Sequence, residues 1–207
     1  MNLSAHFTLK SGGKFPEIIP CEFDRFSEFS LAVTLGRMAN DGRSTTLRGN
    51  SLTLAGPELK AGDTAPDFEV VDPNLQPVTL KDTGNKIRIF SVVPSLDTPV
   101  CDAQTKRFED AAGELSDVDI YTISMDLPFA QKRFSGTFGV DHVKMLSDHR
   151  TGSFGERYGT LIKDLRIESR AIFVIDTDNK IRHVEYVKEV AEHPNYDAAL
   201  SAAKSTR

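Results

Sequence analysis

The stretch from Ile87 to Phe108, IRIFSVVPSLDTPVCDAQTKRF, constrains this chain more than any other. Ile87, Ile89, Phe90, Val92 and Val93 form a β-branched and aromatic run that stops at Pro94, the pattern of an interior strand. Thr98 is placed to cap a following helix, and Pro99 fits its first position, where a missing N–H costs nothing. Cys101 then falls at the third helical position. There its sulfur sits among unpaired N–H groups at the positive end of the helix dipole, a setting that favours a thiolate.

Magnitudes decide whether that setting is enough. A thiol at the reference pKa of about 8.5 is only about 3 % thiolate at pH 7. A reactive thiol with a pKa of about 6 is roughly 90 % thiolate, a difference of about 3.4 kcal/mol. A helix terminus supplies about 0.3–1 kcal/mol, rising to about 2 in a partly buried site. Asp97 and Asp102 oppose it. A reactive Cys101 therefore requires a cation from elsewhere in the chain; without one it reads as a small buried hydrophobe.

The rest of the chain supplies a frame of alternating elements. Thr45–Leu47 and Ser51–Leu54 flank Gly49-Asn50, a hairpin turn pair. The loop Gly62–Asp67 leads into a strand at 68–71, a turn at Asp72-Pro73-Asn74 and a short strand at 78–80. Phe108, Ala111, Ala112 and Leu115 give the Cys101 helix an apolar face. A strand at 118–124 follows, then Asp126 as cap of a helix through Phe129, Ala130 and Phe134. Further expectations are a strand at 143–146, a short helix at 151–158 ending at Gly159, and strands at 171–175 and 181–187 joined by Asp176–Asn179. A last helix is expected at 196–203. Strands alternating with helices and closed by a hairpin imply an α/β fold with a central mixed sheet.

Composition narrows the class. Hydrophobic residues at 39 % and charged residues at 27 % are those of a soluble globular protein. A net charge of −5 with both signs interspersed gives no reason to expect nucleic acid or a membrane surface as partner. No apolar run approaches the roughly 20 residues that span a bilayer. Two cysteines, Cys21 and Cys101, make neither a disulfide framework nor a zinc site, and the five histidines lack metal-ligand spacing. No metal or cofactor is expected, and reduced thiols in the cytoplasm are the expectation. Residues 1–40 differ from the rest: scattered Phe7, Phe15, Phe23, Phe26 and Phe29 show no period, and Gly12-Gly13, Pro16 and Pro20 interrupt them. They read as a flexible extension, or as a start assigned too early with Met38 the first residue, ahead of a domain at 41–207.

Three segments carry a family resemblance. Pro94-x-x-x-Thr98-x-x-Cys101 at the end of an apolar strand resembles the active-site signature of the peroxiredoxins. SVVPSLDTPVC, SMDLPFAQKRF (Ser124 to Phe134) and SRAIFVID (Ser169 to Asp176), in that order, resemble the thiol peroxidase subfamily. The resemblance runs from about Gly42 to the C-terminus. It implies a thioredoxin-like fold and a thiol-dependent peroxidase acting on hydrogen peroxide and organic hydroperoxides. A thioredoxin-like or small-thiol reductant and a homodimer are implied as well. The alternative from another class is a thioredoxin-fold redox sensor, oxidised at Cys101 without turnover.

By that resemblance Cys101 is the peroxidatic cysteine, which becomes a sulfenic acid. Thr98 aims its hydroxyl at the thiolate or the peroxide, in addition to or instead of capping the helix. Pro94 shields the thiolate from water, or simply shapes the turn. Arg170, just before the apolar run at 171–174, is the family's active-site arginine and the cation the thiolate requires. One position departs from the family pattern: the resolving cysteine expected directly after Phe134 is Ser135. A serine hydroxyl cannot condense with a sulfenic acid to a disulfide. A natural one-cysteine variant and a trapping substitution both fit, and an external thiol is the expected resolving partner in preference to Cys21.

Overall fold

In a computed structural model of the chain, residues 42–113 and 115–206 are described. The expectations for residues 1–40, Cys21 and Met38 among them, lie outside the described residues. The interior strand forms as its sequence dictates. β5 (Ile87–Val92) is buried along its whole length, because both faces of the sheet it occupies are covered. Ile87, Ile89 and Val93 point to one side, against Phe108 and Ala111 of α1 (Pro99–Ala112) and Ala199 and Ala203 of α4 (Tyr196–Ser205). Phe90 and Val92 point to the other, into a cluster with Phe68, Phe154, Tyr158 and Phe173. Each of the strand's Ile, Phe and Val side chains contributes about 1.5–3 kcal/mol on burial, so the alternation along β5 fixes its register.

The remaining strands follow in chain order. β1 (Ser44–Leu47) and β2 (Asn50–Thr53) form the hairpin. β3 (Glu69–Val71), β4 (Pro77–Thr79), β6 (Val118–Ser124), β7 (Lys144–Ser147), β10 (Ala171–Ile175) and β11 (Ile181–Tyr186) join β5 in one sheet. The order across that sheet is β11-β10-β5-β6-β7-β3-β4, with β5, β6 and β7 parallel and the others antiparallel to their neighbours. α1 and α2 (Pro128–Phe138) supply the crossovers that parallel pairing demands. α3 (Ser153–Tyr158) covers the aromatic face, its Phe154 and Tyr158 rings stacked 4.1 Å apart. The mixed sheet, its helices and the N-terminal hairpin agree with the fold class expected from sequence.

Three local readings are corrected. The hairpin turn lies one residue earlier than Gly49-Asn50: Leu47 pairs with Asn50, and the turn residues are Arg48 and Gly49, at φ 53° and 79°. Arg48 tolerates the left-handed region because the Glu189 carboxylate accepts its N–H at 2.9 Å and that of Gly49 at 3.2 Å. Those backbone donors, the Arg48 N–H foremost, hold the Glu189 carboxyl down at about 2. Second, a short pair, β8 (Leu161–Ile162) with β9 (Ile167–Glu168), occupies a segment the sequence left unassigned; two-residue strands carry no readable period. Third, Asp126 does not cap α2. Leu127 is the N-cap and has no polar side chain to offer, while the Asp126 carboxylate is engaged with Ser95 and Leu96.

Candidate active site

The sheet topology brings the site together. Pro94 follows the end of β5, and β10 runs antiparallel to β5 with Ala171 opposite Val92. Arg170, the residue before Ala171, therefore emerges at the same end of the sheet as Pro94 and the start of α1. Residues 69 positions apart become neighbours across one strand pair. At the start of α1, Thr98 is extended (φ −116°, ψ 145°) and Pro99 opens the helix, so Cys101 occupies its third position.

The Cys101 sulfur is fully buried and meets two donors. Thr98 Oγ1 lies 2.8 Å from Sγ, and an Arg170 guanidinium nitrogen, Nη2, lies 3.3 Å from it. Thr98 makes no side-chain capping bond, so of its two expected roles the structure retains the contact with sulfur. Arg170 is itself 1 % exposed, and its remaining nitrogens are fixed: Nη1 donates to Gln104 Oε1 at 2.6 Å and Nε to the Val190 carbonyl at 2.9 Å. Gln104 Nε2 donates in turn to Ser91 Oγ at 2.7 Å, which locks the amide orientation. A buried guanidinium held at three points cannot rotate away from the sulfur.

Gln104 and Val190 did not stand out in the sequence. Gln104 carries a signal in retrospect: it lies one turn beyond Cys101 on the buried face of α1, where a polar residue must have a partner. Val190 had none, because its carbonyl acts through the backbone. It is held in place when residues 188–190 pair with β1: Thr46 N–H donates to Lys188 O, and Val190 N–H to Thr46 O, each at 2.8 Å. The hairpin thus supports the arginine clamp.

The two acids flanking the cysteine are drawn off by cations. Asp102 pairs with Lys106 one turn along α1 at 2.9 Å, and Asp97 with Arg133 of α2 at 3.5 Å. Thr98 and Arg170, the two residues that touch the sulfur, also line an apolar groove of about 430 Å³ whose walls include Pro94, Val100 and Ile167. Pro94 is buried and contributes to that wall. Ser135 lies half-buried in the last turn of α2, its carbonyl accepting the N–H groups of Gly139 and Val140 at the helix end. Cys101 is a free thiol. Among the described residues no group of three or more His, Cys, Asp or Glu is arranged to hold a metal, and no helix is long and apolar enough to cross a membrane.

A buried thiol at a helix N-terminus, touched by a hydroxyl and a fixed guanidinium, is equipped to act as a nucleophile on a small electrophile that the same guanidinium can bind. Comparison with known proteins agrees. The Redoxin family model matches residues 60–200. The thiol peroxidase of Halalkalibacterium halodurans is 51 % identical over 162 residues, covering 78 % of this chain and 98 % of the relative. That of Bacillus subtilis is 51 % identical over 160 residues, 77 % of this chain and 96 % of the relative. Among solved structures, a peroxiredoxin-like protein from Aquifex aeolicus superposes with a TM-score of 0.75 at 42 % identity, covering 80 % of this chain and 98 % of its own. With the family signature, the mixed sheet and the thiol–arginine geometry all in register, the chain belongs to the redoxin family, in its thiol peroxidase subfamily.

Proposed function

We propose that the protein is a thiol-dependent peroxidase that reduces hydrogen peroxide and organic hydroperoxides through Cys101. The observation that carries this reading is the convergence of Thr98 Oγ1 and Arg170 Nη2 on one buried sulfur. Both groups lie within hydrogen-bond reach of Sγ and remain close enough to contact the oxygens of a bound hydroperoxide. The thiolate attacks the terminal oxygen of ROOH. An S–O bond forms as the O–O bond breaks, the alkoxide leaves and takes up a proton as ROH, and Cys101 becomes a sulfenic acid. The Arg170 charge offsets the negative charge that develops on the departing oxygen. Pro94 and the apolar groove wall keep water from the thiolate.

Ser135 has no thiol to offer, so the sulfenic acid condenses with an external thiol, releasing water and forming a mixed disulfide that a second thiol reduces. A thioredoxin-like protein or a small thiol fills that role. A cytoplasmic location and a homodimer belong to the same reading. Residues 1–40 are read as an extension ahead of a catalytic domain at 41–207. Its support is that 78 % of this chain suffices to cover 98 % of a relative. A chain starting at Met38 is expected to keep the parent's melting temperature and turnover.

Mass spectrometry after one equivalent of hydrogen peroxide tests the proposal. A gain of one oxygen on the Cys101 peptide, absent in Cys101→Ser, together with steady turnover in excess thiol, is the expected result. Oxidation without turnover would replace the enzyme with a redox sensor, and no oxidation would refute both.

A further inference from the structure

The Asp126 carboxylate is held from behind and grips the cysteine loop in front. Behind it, Ser124 Oγ at the end of β6 donates to Oδ2 at 2.9 Å, and Ser147 Oγ at the end of β7 donates to the Asp126 carbonyl at 2.5 Å. In front, Oδ1 accepts from Ser95 Oγ at 2.8 Å and Oδ2 from the Leu96 N–H at 2.7 Å. Ser95 and Leu96 lie between Pro94 and Thr98, in the connection that delivers Cys101. Asp126 therefore ties this connection to the rigid ends of two central strands.

The tie continues to the sulfur. The Ser95 carbonyl accepts the Thr98 N–H at 3.3 Å and stands 3.2 Å from Thr98 Oγ1, which is 2.8 Å from Sγ. A threonine hydroxyl has one hydrogen to donate. With Cys101 a thiol, that hydrogen points to the Ser95 carbonyl; with Cys101 a thiolate, it turns to the sulfur. In both states the Ser95 carbonyl accepts the Thr98 N–H, which fixes the residue that carries Oγ1. We infer that Asp126 is a positioning residue for Cys101 chemistry: by fixing Ser95 and Leu96 it aims the Thr98 hydroxyl at the sulfur. The geometry stands independently of the substrate; only the peroxide arm of the test rests on the proposed function.

A double-mutant cycle separates aiming from general support. Second-order rates of Cys101 are measured with hydrogen peroxide and, separately, with iodoacetamide, for the parent, Asp126→Ala, Thr98→Val and the double variant. Asp126→Ala is expected to slow both reactions about tenfold, the effect of misplacing one hydrogen bond to a charged group. In the Thr98→Val background the same change is expected to matter less than about twofold, because the hydroxyl it aims is gone. Asp126→Asn keeps an oxygen for the Leu96 N–H and is expected to stay within about threefold of the parent. If Asp126→Ala does not fold, Asp126→Ser takes its place in the cycle. Equal slowing in both Thr98 backgrounds, no slowing at all, or an Asp126→Asn variant as slow as Asp126→Ala would overturn the inference. A parent inert to peroxide whose iodoacetamide cycle is still non-additive would refute the proposed function and leave this inference standing.

Discussion

Asp148 and Glu168 form a buried acid pair, and replacing Asp148 with asparagine should make the protein more stable at neutral pH. Asp148 is 1 % exposed and Glu168 is fully buried. Asp148 Oδ2 accepts the Gly155 N–H at 2.9 Å, and Glu168 Oε2 accepts from Thr160 Oγ1 at 2.6 Å. Burial pushes the Asp148 carboxyl up from its ordinary 3.8 to about 6, against the pull of the α3 backbone N–H groups. Burial first, and then the Asp148 charge, push the Glu168 carboxyl well above its ordinary value. Between pH 3.8 and 6 the folded protein binds a proton at Asp148 that the unfolded chain has released. Stability therefore falls as pH rises through that window, and the loss is complete above it. At about 1.4 kcal/mol per pH unit the loss comes to about 3 kcal/mol.

An asparagine keeps an oxygen for the Gly155 N–H, turns its amide toward Glu168 and has no charge to desolvate. Urea unfolding of parent and Asp148→Asn at pH 4, 5, 6 and 7.5, followed by far-ultraviolet circular dichroism, gives the difference curve. The two proteins are expected to match at pH 4. By pH 7.5 the variant should lead by about 3 kcal/mol, or roughly 6–12 °C in melting temperature for a domain of this size. Because the variant also removes a charge beside Glu168, the lead can exceed this figure but should not reverse. A difference independent of pH, or a variant less stable at pH 7.5, would refute the reasoning.

Other perturbations probe the site and the frame. Arg170→Met should slow peroxide consumption at least about a hundredfold and lower the rate of Cys101 alkylation at pH 7, since it removes the cation at the sulfur. It also leaves Gln104 Oε1 and the Val190 carbonyl without their partner, and urea unfolding should show a loss of about 2–4 kcal/mol. Ser135→Cys should yield a disulfide between the introduced thiol and Cys101 in the oxidised protein, seen by peptide mapping, and faster turnover with a thioredoxin-like reductant. Persistence of the mixed disulfide as the sole oxidised form would count against it. Gly56→Ala should cost at least about 3 kcal/mol by the same unfolding assay, because the residue sits at φ 83° and its Cβ would stand 1.8 Å from the Glu156 carbonyl oxygen.

The sequence by itself determined the strand–turn–helix unit around Cys101. The apolar run of β5, the breaking Pro94 and the helix-opening Pro99 are local signals that need nothing beyond neighbours a few residues away. It also determined the paired strands β10 and β11, whose joining turn at Asp176–Asn179 is set by short-range hydrogen bonds to Asp176. The Cys101, Thr98 and Arg170 constellation was legible only because the family signature links three distant segments; no periodicity joins residue 101 to residue 170. Tertiary structure alone decided how that constellation is held. Asp126 reads as a helix cap, since an acid before Leu127-Pro128 has the right local chemistry. The fold gives its carboxylate stronger partners in Ser95 and Leu96, 31 and 30 positions away. Thr98 likewise reads as a cap, and its hydroxyl instead lies between the Ser95 carbonyl and the sulfur. In both cases a side chain with a ready use as a helix cap met another group that the fold had brought within about 3 Å. The short, partly desolvated bond prevailed over the exposed capping one. The hairpin turn shifted to Arg48-Gly49 for the same reason, because the Glu189 carboxylate, some 140 positions away, supplies the acceptor that a left-handed arginine needs.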